Sequence, residues 1–108
     1  MLNKAPAQLN RFIVTCTFNS GSRAVFERAM ASSGTALQLN NDLWLLRAVG
    51  TAGSVRNHLF QHLGARDTLM VLQLDAVRTA TQNYGPEMDA RIRAMLYLEQ
   101  AAPQPAVA

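Results

Sequence analysis

Along residues 11–75 the apolar positions fall into six successive segments, in the order extended, helical, extended, extended, helical, extended. That order constrains the fold more than any single residue, because each pattern can bury its apolar side in only one kind of element. Residues 11–18 (RFIVTCTF) are rich in β-branched and aromatic types, and Phe12, Val14 and Cys16 alternate with Ile13, Thr15 and Thr17. This predicts a strand with two different faces. Asn19-Ser20-Gly21-Ser22 supplies a turn and an N-cap for a helix over 23–32, where Val25, Phe26, Ala29 and Met30 share one side. Ser33-Gly34 reads as the stop of that helix.

A short strand over 35–39 carries Leu37 and Leu39, and Asn40-Asn41-Asp42 forms a hairpin turn. Residues 43–49 (LWLLRAV) are the most continuously apolar stretch, as a central strand requires, with Arg47 the one position needing solvent or a partner. Gly50 breaks the strand and Thr51 or Ser54 caps a second helix, whose stripe of Ala52, Val55, Leu59 and Leu63 runs to Gly64. Residues 68–75 (TLMVLQLD) form a fourth strand. Val77, Thr79 and Thr81 alternate weakly, which predicts a fifth, edge strand over 76–82. Pro86 suits the first turn of a helix over 87–100 carrying Ile92, Met95 and Leu96 on one side.

The fold class expected is α+β, a ferredoxin-like βαββαβ sandwich with a C-terminal helix. Residues 11–100 form its single domain, between a flexible leader at 1–10 and a disordered tail at 101–108. Leu, Met and Val occupy both parities of the third and fourth strands, so both sheet faces must be covered. Two helices cover one face, and the C-terminal helix or a second copy must cover the other. A homodimer is the expectation.

The chain carries ten Lys and Arg against seven Asp and Glu, a net charge of +3, and Lys4 is its sole lysine. This balance permits nucleic acid as a partner without requiring it. A single cysteine excludes an internal disulfide and fits a reducing compartment. With no long apolar stretch for a signal or a membrane span, the expected location is cytoplasmic, with no membrane partner.

Catalytic residue types are sparse. His58 and His62 lie four apart on the second helix, a spacing that can set two imidazoles on one metal, but Leu59 stands where the metalloprotease pattern needs a glutamate. They read as half-exposed helix histidines. Asp75 ends a strand, where a carboxylate can hold a cation or pair with Arg78, and Asp67 reads as a turn or cap residue. The turn 50–54 lacks the lysine and spacing of a phosphate loop and reads as a helix cap. RNA recognition would need aromatics on the open face of the central strands, and only Phe12, Phe18 and Trp44 are on offer. Trp44 reads as a core residue, and Cys16 as a small buried hydrophobe.

The stretch 43–74 resembles the second half of SinR-family proteins, which lie in the fold neighbourhood of the CRISPR-associated dimeric nuclease subunit. The matching residues are Trp44-Leu45-Leu46, Thr51, Ser54, Val55, Arg56, Leu59, Asp67, Leu69 and Val71, and the first strand with Asn19 is similar to the family's N-terminus. In the CRISPR-associated relatives the first strand ends in an aspartate, one per protomer, proposed to hold a divalent metal at the dimer axis. Here that position is Thr17, flanked by the neutral Cys16, Phe18 and Asn19. A hydroxyl is a poor ligand for a hard cation and no general base near neutral pH. The resemblance therefore implies a non-catalytic homodimer without cofactor or metal, binding nucleic acid or a protein partner. Arg11, Arg23, Arg28, Arg47 and Arg56 are its candidate contacts. The alternative is a metal-dependent nuclease using another acid, such as Asp75.

Overall fold

A computed structural model describes residues 9–75 and 78–101. The elements run β1 (Leu9–Thr17), α1 (Arg23–Ser33), β2 (Gly34–Asn40), β3 (Leu43–Val49), α2 (Ala52–Phe60), β4 (Thr68–Leu74) and α3 (Pro86–Ala101). The fold is α+β. The four strands form one sheet in the order β2-β3-β1-β4, and every neighbouring pair is antiparallel. It follows that β1 runs parallel to β2 with β3 between them, and β3 parallel to β4 with β1 between them. The two strand-helix-strand units interleave, each helix bridging over a strand of the other unit.

Alternation within β1 separates two cores. Phe12, Val14 and Cys16 point to the side of α1 and α2, where they pack with Phe26, Met30, Trp44, Leu46, Val55 and Leu59. The register continues this face across the sheet, with Val14 opposite both Trp44 and Val71. Ile13 points the other way. There Leu37 and Leu45 are buried beneath Ile92, Met95 and Leu96 of α3. The C-terminal helix thus covers the second face over the β2–β3 half, while Met70 and Leu72 of β4 remain about half exposed.

The outline drawn from the pattern needs four adjustments. β1 takes in Leu9 and Asn10, which the pattern assigned to the leader; residues 1–8 and 102–108 lie outside those described. α1 runs straight into β2 with no loop, so Gly34 opens the strand, paired with Ala48, instead of ending the helix in a turn. α2 closes at Phe60 and continues as a tighter turn, in which the His62 and Leu63 amides bond the Leu59 and Phe60 carbonyls. The fifth strand is absent over residues 78–82, and 76–77 lie outside the described residues. Thr79 and Thr81 supply hydroxyls to α3 instead: Tyr97 Oη donates to Thr79 Oγ1 at 3.0 Å, and Thr81 Oγ1 donates to Asp89.

Candidate functional site

The densest polar cluster lies where β1 ends, at the Thr17 tip. Thr17 is exposed and pairs with Thr68 of β4. One turn further, the chain meets the loop before β4. Asp67 Oδ1 accepts the Asn19 backbone N–H at 2.6 Å. Its Oδ2 accepts the hydroxyls of Ser20 (2.8 Å) and Ser22 (2.7 Å) and the Gly64 backbone N–H (2.7 Å). Asn19 Nδ2 adds a bond to the Arg66 carbonyl. Gly64 is a steric necessity here, since a Cβ would sit 2.9 Å from Ser20 Cβ and 2.8 Å from its Oγ. The hydroxyl of Ser22, then the amides of Asn19 and Gly64, hold the Asp67 carboxyl well below the usual carboxylate range, desolvation opposing them.

Three donors on Oδ2 exhaust that oxygen. The depressed pKa leaves Asp67 a weak base, and at Oδ2 a cation would have to displace the Ser20 and Ser22 hydroxyls and the Gly64 amide. Asp67 therefore stitches the β1–α1 turn to the α2–β4 turn, segments 45–48 residues apart. It also closes the turn that begins at Gly64, the role its position in the sequence suggests. The serine and asparagine partners belong to another turn, so no local pattern could reveal them.

Beside this knot Arg23 spreads over the end of the sheet. It pairs with Asp42 at 2.9 Å and Glu27 at 3.3 Å and donates to the Asn41 carbonyl at 2.7 Å. Its guanidinium lies 4.5 Å from the Phe18 ring centre and 5.9 Å from that of Trp44. The rings of Phe18, Phe26 and Trp44 pack edge-on or tilted, 5.2–6.3 Å apart. These aromatics, with the fully buried Phe12, face the helices and offer no stacking platform to a base. Cys16 lies beneath, 1% exposed. Burial first, then the negative charges of Asp67 and Asp42, push its thiol up to about 11 against the opposing Arg23, so it stays protonated and inert at neutral pH.

The five candidate arginines do not share one surface. Arg11 and Arg47 are direct cross-strand partners on the α3 face. Arg11 donates to the Leu96 carbonyl, and the buried Nε of Arg47 has no hydrogen-bond partner. Arg23 is engaged as described. Arg28 and Arg56 are exposed on α1 and α2. The turn 50–54 is a reciprocal capping box, Ser54 N–H to Thr51 Oγ1 at 3.1 Å and Thr51 N–H to Ser54 Oγ at 2.9 Å. Asp75 is exposed just beyond β4, and among the described residues no three His, Cys, Asp or Glu side chains converge as a metal site.

Comparison with known protein families, curated proteins and solved structures finds no match. Among the described residues no helix is long and apolar enough to cross a membrane.

Proposed function

We propose that this chain is a non-catalytic homodimeric protein on a ferredoxin-like core, similar to SinR-family proteins, which works by binding nucleic acid or another protein. The interleaving of its two strand-helix-strand units is what that fold requires. The observation that carries the reading is the state of β4. It lies at the sheet edge with no charge, proline or bulge among its seven residues, and it exposes Met70 and Leu72 on the face that α3 leaves open. Edges this apolar are ordinarily blunted unless another chain pairs with them. The Asp67 carboxylate beside the β1 tip is taken up by four of the chain's own donors, which supports binding over hydrolysis. Arg28 and Arg56, exposed on the opposite layer, are the two of the five candidate arginines that solvent, and so phosphate, can reach most openly.

Sedimentation equilibrium tests the dimer. The wild type is expected at twice its 11.8 kDa chain mass, and Leu72→Lys at the chain mass with an unchanged far-UV CD spectrum. A wild type that sediments as a single chain at micromolar concentration refutes the reading. Fluorescence anisotropy with single-stranded and duplex oligonucleotides at two salt concentrations then separates the partners. Phosphate contacts lose affinity steeply with salt and should weaken in Arg28→Ala/Arg56→Ala. Absence of binding at low salt assigns the surface to a protein partner.

A further inference from the structure

His58 and His62 have no role in the reading above, yet the fold holds them as a pair. Leu59, completely buried, and the half-buried Leu63 anchor the backbone between and beyond them on the sheet. Gln61 keeps right-handed helical angles after α2 ends, and the His62 amide bonds the Leu59 carbonyl at 3.0 Å. The helical path thus continues long enough for His62 to land one turn above His58. The two rings sit with centres 5.8 Å apart and planes at 72°. A tetrahedral zinc ion with two imidazoles at about 2.1 Å needs ring centres roughly 5.3 Å apart, a shift of about half an ångström. Rotation about the side-chain bonds of an exposed and a half-buried histidine supplies that.

We propose that His58 and His62 form a two-nitrogen chelate for a borderline divalent transition-metal ion of the zinc, nickel and copper class. No third His, Cys, Asp or Glu joins them among the described residues, so water fills the remaining positions. The site is an open one, selective for imidazole-seeking ions over magnesium and calcium, which take oxygen ligands.

Isothermal titration of the full chain with zinc chloride, nickel chloride and magnesium chloride tests the site. Zinc and nickel should bind once per chain and magnesium not at all. His58→Ala and His62→Ala should each weaken zinc by more than about tenfold, because either change breaks the chelate. Both positions are solvent-accessible, and a far-UV CD spectrum checks that the variants fold. Two-dimensional NMR of the imidazoles should show both rings shifting together at one equivalent of zinc. Zinc binding that survives in either variant, a shift confined to one ring, or no saturable zinc binding to the wild type overturns the assignment.

Discussion

Gly34→Ala tests the junction on which the interleaved topology depends. α1 passes into β2 without a loop residue, and Gly34 takes the first position of the strand opposite Ala48. Its φ of 169° is ordinary extended backbone, so conformational freedom is not what the glycine supplies. Space is. A Cβ there would lie 2.0 Å from the Arg47 carbonyl oxygen, 3.0 Å from its carbon and 3.1 Å from Ala48 Cα, all backbone atoms that cannot swing aside. Relief requires β2 to separate from β3 at that end. Overpacking costs about 1–3 kcal/mol, the lost ladder bond about 1 kcal/mol, and the stiffer unfolded chain returns about 0.5–1 kcal/mol, a net loss of about 1–3.5 kcal/mol. For a domain of this size that lowers Tm by about 5–25 °C. Thermal melts followed by CD, with urea midpoints at constant m, measure it. Gly53→Ala is the matched control: its Cβ meets only Thr51 Oγ1 at 3.9 Å inside α2, and helix propensity should raise stability by about 0.5–1 kcal/mol. A Gly34→Ala protein melting within about 3 °C of the parent, under 1 kcal/mol, refutes the steric argument.

Two further expectations concern the knot and what lies beneath it. The folded-state pKa of Asp67 is depressed, so its contribution is present above the unfolded carboxylate value of about 3.9 and is lost as pH falls through the folded value. Asp67→Asn should therefore lower the urea midpoint clearly at pH 7, with the gap to wild type closing toward pH 2; a gap independent of pH would contradict the assignment. Cys16, buried and with its thiol raised to about 11, should resist a chromogenic disulfide reagent at pH 8 in the native protein and react at once in denaturing urea. Fast native labelling would show that the strand opens more readily than its packing implies.

The element order was legible because burial in each segment follows a local period. Val55 and Leu59 are a helix stripe, and Phe12, Val14 and Cys16 are a strand face, whatever they pack against. What escaped was set by partners distant in sequence. The alternation of Thr79 and Thr81 mimics an edge strand because hydroxyls two apart share a side in any extended segment; only the position of Tyr97 and Asp89 on α3 turns them into anchors for that helix. Arg47 stood out as a charge in an apolar run, but its direct neighbour Arg11 depends on the β1–β3 register, which no pattern within either strand specifies. Asp67 carried a turn signal and nothing more, since its serine and asparagine donors arrive from the far side of four elements.

The two sheet faces differ in a way that bears on function. The face under α1 and α2 holds every aromatic ring of the strands and is closed. The opposite face has one helix, laid toward β2 and β3, because the α3 stripe of Ile92, Met95 and Leu96 matches Leu37 and Leu45. Coverage fades toward β4, where the same parity presents Met70 and Leu72 beside the open edge. A lone catalytic or metal-holding group at the Thr17 tip would leave that apolar strip unexplained. The second chain proposed to pair along β4 would account for the strip, the uncharged edge and the continuous apolar pattern of 68–74 together, and so the edge, rather than the strand tip, is where a partner should be sought first.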